Sequence, residues 1–120
     1  IRSIDDPVTR YIPELAGSGY NGVSIAQLLT MTSGVKWDEN YFNPNSDVAR
    51  MFAQPVPAGN DATIAYMRTL PRESAPGAKW VYKTGETNLI GVLVTKATGK
   101  SLATYLSEKI WQPVGMERDA

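Results

Sequence analysis

The feature that most constrains the fold is the helical spacing of apolar residues in the second half of the chain. These residues recur at intervals of three and four, at Leu89, Ile90, Leu93, Val94 and Ala97. Gly99 follows them, where a helix commonly ends on a left-handed residue. A helix with such an apolar face needs other elements to pack against. The remaining apolar residues are therefore expected to collect around this helix.

Shorter helices are predicted wherever a capping residue precedes an apolar pattern. Ser24 and Gln27 match a capping box, in which Gln27 reaches back to the Ser24 amide. Further N-caps are expected at Ser46-Asp47, Asn60-Asp61 and Ser101, and Asp5-Asp6-Pro7 is expected to open a first helix that Pro13 stops. Gly34 is expected to cap the helix that Ser24 opens.

The apolar residues of these segments repeat at helical spacing and never alternate in the manner of a strand. The expected inward positions include Ile25, Leu28, Leu29, Val48, Met51, Phe52, Ile64, Met67, Leu70, Leu102, Tyr105, Leu106 and Ile110. The sequence therefore predicts an all-α fold, an irregular bundle of about six short helices.

Composition excludes several kinds of site. Twelve basic residues balance twelve acidic ones, so nothing favours a nucleic-acid or acidic-membrane partner. The chain has neither cysteine nor histidine, which removes thiol nucleophiles, the Ser-His-Asp arrangement and the usual zinc sites. Proton transfer must then rest on Tyr, Lys, Asp or Glu, and no metal or organic cofactor is implied.

Tyr82 is the strongest candidate for such a role. It follows a turn at Pro76-Gly77, shares one side of an extended segment with Trp80, and precedes the long helix by a short connection. A phenol fixed in this way can carry protons when a neighbouring cation lowers its pKa. The alternative is that Trp80 and Tyr82 are packing aromatics.

A second candidate region is the polar segment from 35 to 45, which carries Trp37, Tyr41 and Phe42. These aromatics either fold back onto the core or form a wall that faces a substrate.

Two short strings match motifs of penicillin-type serine hydrolases, but their surroundings do not suit the chemistry. Ser33-Gly34-Val35-Lys36 reads as Ser-x-x-Lys, yet it lies where a helix is expected to end. The lysine must sit one helical turn from the serine to take its proton. Lys83-Thr84-Gly85 reads as the third motif, yet it leads into a helix and not along a strand.

A broader pattern resembles the family of class C β-lactamases, D-alanyl-D-alanine peptidases and family VIII esterases. The matching segments follow the family's order, and the first half is most similar to the 6-aminohexanoate-dimer hydrolase branch. They are Asp5-Asp6-Pro7-Val8, Ile12-Pro13-Glu14-Leu15, the run from 25 to 34, Pro76-Gly77, Trp80-Val81-Tyr82, Asn88-Leu89-Ile90-Gly91, Thr98-Gly99-Lys100-Ser101 and Pro113-Val114-Gly115-Met116.

The resemblance implies roles for individual residues. Tyr82 falls on the tyrosine of the family's Tyr-x-Asn motif, the general base or proton shuttle beside the nucleophile. Thr84 replaces the asparagine that contacts the substrate amide, and a threonine cannot present carboxamide geometry. That departure argues against β-lactam hydrolysis and leaves ester or amide hydrolysis open. Trp37 and Tyr41 are expected to bind the acyl side of the substrate.

The resemblance also implies that residues 1–120 are one helical subdomain of a longer serine hydrolase. The family's Ser-x-x-Lys helix precedes the Asp-Asp-Pro segment, and its third motif follows the segment ending in Met116. The expected partners are the α/β half of the same protein and a small ester, amide or β-lactam substrate, with self-association of the isolated chain. The alternative is a non-catalytic helical binding module built on the same framework.

Overall fold

The computed structural model describes residues 1–56 and 58–118, in which helices are joined by turns and irregular segments. The helices are α1 (Ile25–Leu29), α2 (Asp47–Ala53), α3 (Ala62–Met67), α4 (Thr84–Thr98) and α5 (Leu102–Leu106), which continues through a π-helical turn (Ser107–Trp111) into α6 (Gln112–Val114). Within the described residues no strand forms, and only two isolated β-bridges pair extended backbone. The predicted all-α class is confirmed.

Helix α4 lies at the centre of the domain. It contacts α1, α2, α3 and α5, and its Leu89 and Leu93 are fully buried. The surrounding core is formed by Val8, Ile12, Leu15, Tyr20, Val23, Ile25, Leu28, Val35, Trp37, Val48, Met51, Ile64, Tyr66, Met67 and Leu70. The spacing read from the sequence therefore identified the organising helix correctly.

Most predicted caps are present. Gln27 N donates to Ser24 Oγ at 3.1 Å, and Ser24 N donates to Gln27 Oε1 at 2.9 Å, which completes the capping box. The side chains of Ser46, Asp61 and Ser101 accept from the first turns of α2, α3 and α5. These bonds satisfy amides that a helix start otherwise leaves unpaired.

The first predicted helix is wrong. Residues Val8–Arg10 and Pro13–Leu15 instead form two 310 turns. The Asp6 carboxylate does not cap a helix because it accepts from Tyr11 Oη at 2.8 Å and from Arg10 Nη1 at 2.9 Å. Pro13 begins the second turn and does not end the first element, since its fixed φ suits an N-terminal position.

The predicted cap at Gly34 is also wrong. Helix α1 ends earlier, at Leu29, and Met31 takes the left-handed conformation with φ 56°. Gly34, at φ 78°, instead allows a close backbone approach. Its carbonyl accepts from Glu73 N at 2.8 Å and from Ser74 N at 3.1 Å. The glycine therefore joins the loop after α1 to the segment that leads towards Tyr82.

Substituting alanine for Gly34 should destabilise the fold by about 2 kcal/mol or more, measured by urea unfolding. A Cβ there would lie 2.1 Å from Ser74 O, and the left-handed φ adds strain. Gly99→Ala is the matched control, because Gly99 has φ 68° and nothing within 4 Å of its Cβ position. Its cost should stay near 1 kcal/mol. Equal losses in the two variants would contradict the close approach.

The predicted burial of the last helix is wrong for this chain. Leu102, Leu106 and Ile110 are about half exposed, and Tyr105 is only partly covered. Their spacing is helical as expected, but α5 packs on α4 at the edge of the domain and the described residues bring nothing over its outer face. The sequence pattern identified an apolar face without showing what covers it.

Candidate active site

Tyr82 lies at the end of an extended segment, two residues before the first residue of α4. Its side chain is 48% exposed. Its neighbours are anchored: Val81 N donates to Met31 O at 3.0 Å, and Lys83 is buried. The arrangement presents a phenol at the surface on a backbone that is held at both neighbouring residues.

Thr84 begins α4 and lies beside this phenol in sequence. Lys83, at the N-cap position, makes no side-chain cap, and the carboxylate of Glu39 takes over that function. Thr84 N donates to Glu39 Oε2 at 2.9 Å, and the Thr84 hydroxyl donates to Glu39 Oε1. A carboxylate at a helix N-terminus also interacts favourably with the helix dipole.

Glu39 connects the aromatic segment to this helix start. The Trp37 indole N–H and the Tyr41 hydroxyl both donate to its carboxylate, and Tyr41 Oη also lies 3.1 Å from Thr84 Oγ1. Burial raises the pKa of the Glu39 carboxyl, but the hydrogen bonds from Thr84, Tyr41 and Trp37 outweigh that effect and leave the pKa below its ordinary value. Glu39 is therefore an ionised anchor for this part of the site.

The sequence analysis did not identify Glu39. The sequence feature that could have identified it is its position between two aromatics, in Trp37-x-Glu39-x-Tyr41. Residues two apart in extended chain lie on the same side, so the three side chains were able to meet. Trp37, Glu39 and Tyr41 do meet around one carboxylate.

The aromatics of this segment divide between core and surface. Trp37 is 7% exposed and packs edge-on against Tyr66, with ring centroids 6.3 Å apart. Tyr41 and Phe42 are exposed. Tyr41 and Thr84 thus lie close together at the surface, while the buried Trp37 bonds to the Glu39 carboxylate that they share.

The Ser33–Lys36 string does not form a nucleophile pair. Neither residue is helical; Ser33 is fully buried and Lys36 is exposed. Ser33 Oγ donates to the Glu86 carboxylate and accepts from Val35 N at 3.2 Å. The Ser33 hydroxyl therefore donates its proton to a buried carboxylate and not to the lysine three positions along the chain.

Lys83 and Glu86 form a charged pair inside the domain, with exposures of 1% and 0%. Lys83 Nζ lies 3.7 Å from Glu86 Oε1, which also accepts from Ser33 and, at 3.3 Å, from Tyr20 Oη. Burial raises the pKa of the Glu86 carboxyl, and the three contacts offset part of that rise. Burial and the neighbouring carboxylate raise the pKa of Tyr20, so its phenol stays protonated and donates. Lys83 is therefore part of a buried polar network and is not the surface lysine of a Lys-Thr-Gly motif.

Across 1–56 and 58–118, no three acidic side chains come together as they would around a metal ion. In the same residues every helix is too short or too polar to cross a bilayer.

The fold belongs to a known class. Residues 2–120 match the Beta-lactamase family model, and the chain therefore belongs to that family. It is 32% identical over 122 residues to the 6-aminohexanoate-dimer hydrolase of Paenarthrobacter ureafaciens, an alignment that covers 95% of this chain and 30% of the relative. A penicillin-binding protein of Bacillus subtilis is 29% identical over 125 residues, with 97% and 24% covered.

Solved structures agree on the fold. A mutant class C beta-lactamase superposes with a TM-score of 0.66 at 24% identity, covering 96% of this chain and 28% of that chain. The chain spans about 30% of the length of the 6-aminohexanoate-dimer hydrolase that it matches. The family predicted from the sequence is confirmed.

Proposed function

We propose that this chain is the helical layer of a serine hydrolase that cleaves an ester or amide through an acyl-enzyme, and that Tyr82 is its proton shuttle. The observation that carries the proposal is the Tyr82 phenol, half exposed on a backbone anchored at both neighbouring residues. The names of the relatives support amide hydrolysis, and the family match supports the class of enzyme.

The proposed nucleophile is the serine of a Ser-x-x-Lys helix in the part of the protein that precedes Ile1. Its Oγ attacks the substrate carbonyl carbon, and its proton passes to the paired lysine and Tyr82. The tetrahedral intermediate collapses when the leaving alcohol or amine takes that proton through Tyr82. Water then attacks the acyl carbon and gives one proton to the same groups, which pass it to the departing serine Oγ as the acid is released.

Thr84, Tyr41 and Trp37 are the proposed substrate-binding residues. Thr84 and Tyr41 bring two hydroxyls to one place, 3.1 Å apart, and the Trp37 indole bonds to the Glu39 carboxylate that both hydroxyls share. A hydroxyl has one donor, and here both hydroxyls donate to Glu39, whereas a carboxamide presents two donors and an acceptor in one plane. The missing carboxamide argues against β-lactam hydrolysis and leaves ester or linear amide hydrolysis open.

The acylation step gives a direct test. The full-length protein should gain the mass of one acyl group when it is incubated with a p-nitrophenyl ester and examined by intact mass spectrometry. The 120-residue chain alone should neither gain that mass nor turn over the ester, a β-lactam or 6-aminohexanoate dimer. Turnover by the isolated chain that disappears in Ser33→Ala would contradict the proposed division of the site.

The exposed face of α5 supports a second layer in the whole protein. Leu102, Leu106 and Ile110 share a groove with Val94 and the stem of Lys109. Helical layers normally bury such a face against a partner layer. The isolated chain should therefore self-associate and bind a hydrophobic dye, as measured by sedimentation and fluorescence. A strictly monomeric chain that binds no dye would argue for a self-sufficient domain.

A further inference from the structure

The orientation of Tyr82 depends on how its two neighbours are held. On one side, Val81 N donates to Met31 O at 3.0 Å. On the other, the buried Lys83 ammonium donates back to Val81 O at 3.3 Å. The Lys83 side chain thus reaches back past Tyr82 to the Val81 carbonyl. This bond closes the backbone of residues 81–83 into a short ring that contains the Tyr82 backbone.

The ring is fixed to the rest of the domain through Glu86. Lys83 Nζ lies 3.7 Å from Glu86 Oε1, one helical turn along α4, and Ser33 Oγ donates to that same oxygen. Ser33 belongs to the loop that also holds the segment before Tyr82, where Thr32 O accepts from Gly77 N at 2.7 Å. One loop therefore anchors both the approach to Tyr82 and the helix after it.

Stability alone gives no reason for a charged pair at this position. Well-packed apolar side chains in place of a buried pair are often equally stable or more so. An apolar side chain at 83, however, could not donate to the Val81 carbonyl. The pair thus provides the Val81–Lys83 segment with a hydrogen bond that apolar packing cannot provide.

We propose that the Lys83–Glu86 pair, held by Ser33, is a positioning device that fixes the Tyr82 phenol towards the reacting groups. This inference rests on the proposed function for its catalytic consequence, but its geometric content concerns Tyr82 alone. Lys83 and Glu86 act through Tyr82 and are positioning residues.

The double variant Lys83→Met/Glu86→Gln tests the proposal in the full-length protein. It removes the charge and the bond to Val81 while it keeps similar side-chain volumes. We expect kcat to fall about 10- to 100-fold, because small misplacements of a reacting group carry penalties of that size, with KM changed less than about twofold. The matched control is Lys79→Met/Glu73→Gln, which removes an exposed pair at the same 3.7 Å separation and should leave kcat unchanged.

A spectroscopic readout separates this proposal from the proposed function. In protein labelled with 3-fluorotyrosine, the resonance that Tyr82→Phe abolishes reports the Tyr82 ring. That resonance should shift or broaden in the double variant and stay unchanged in the control. An unchanged resonance overturns the positioning role. A moved resonance together with a fully active Tyr82→Phe variant would uphold the positioning and overturn the catalytic role of Tyr82.

Ser33→Ala provides a second, milder variant should the double variant fold poorly. It removes the hydroxyl that ties Glu86 to the 31–33 loop and should move the Tyr82 resonance in the same direction by a smaller amount. A Tyr82 resonance that is insensitive to Ser33→Ala in a folded protein also overturns the proposal.

Discussion

Tyr82→Phe should lower kcat of the full-length protein by about 10²–10⁴-fold, the usual scale for a positioned acid–base group. A free phenol, with a pKa near 10, is a poor base at neutral pH. In the proposed function, the Tyr82 hydroxyl relays the proton between the nucleophilic serine and its paired lysine. Phenylalanine keeps the ring and removes only that relay.

The same variant should fold normally, because the lost hydroxyl is carried by a side chain that is 48% exposed. The measurement is the single-turnover acylation rate, with thermal unfolding recorded in parallel. Tyr105→Phe is the matched control, since it removes a hydroxyl from α5 at the edge of the domain. A Tyr82→Phe protein that acylates at the parent rate would show that Tyr82 is a packing aromatic.

Glu86→Gln should reduce the free energy of unfolding by about 3–5 kcal/mol, a large part of the stability of a small domain. Glutamine keeps the volume and an acceptor for Ser33 but leaves the Lys83 ammonium buried without a counter-ion. Lys83→Met/Glu86→Gln removes both charges and should return most of the lost stability. Urea unfolding of the three proteins measures these differences.

The exposed pair Glu73–Lys79 is the control, because its atoms are also 3.7 Å apart. Glu73→Gln should cost no more than about 1 kcal/mol, as solvent screens such pairs. If Glu86→Gln proves as stable as the parent, Glu86 is protonated in the fold and the pair is not ionic.

Elements governed by local sequence were predicted well. The cap at Ser24, the helix around Leu89 and Leu93 and the end at Gly99 each depend on residues within about two turns of one another. The 310 turns near Pro7 were missed because the Asp6 carboxylate found Tyr11 and Arg10 instead of a helix amide.

Features made by distant residues were not predictable in the same way. Glu39 lies 45 positions before the Thr84 amide that it caps, and Ser33 lies 53 positions before its partner Glu86. No local pattern marks Gly34 as the point where Ser74 approaches. The exposed face of α5 shows the same limit, since periodicity predicts an apolar face but not its partner.

The most direct test is a crystal structure of the full-length protein trapped as an acyl-enzyme. The central claim is that this helical layer places Tyr82 against a serine supplied by another part of the protein. We expect the acyl group on a Ser-x-x-Lys serine outside residues 1–120, with the Tyr82 hydroxyl within about 2.6–3.2 Å of its oxygen or one water away. An acyl group on Ser33, or a modified serine beyond the reach of Tyr82, would contradict the account.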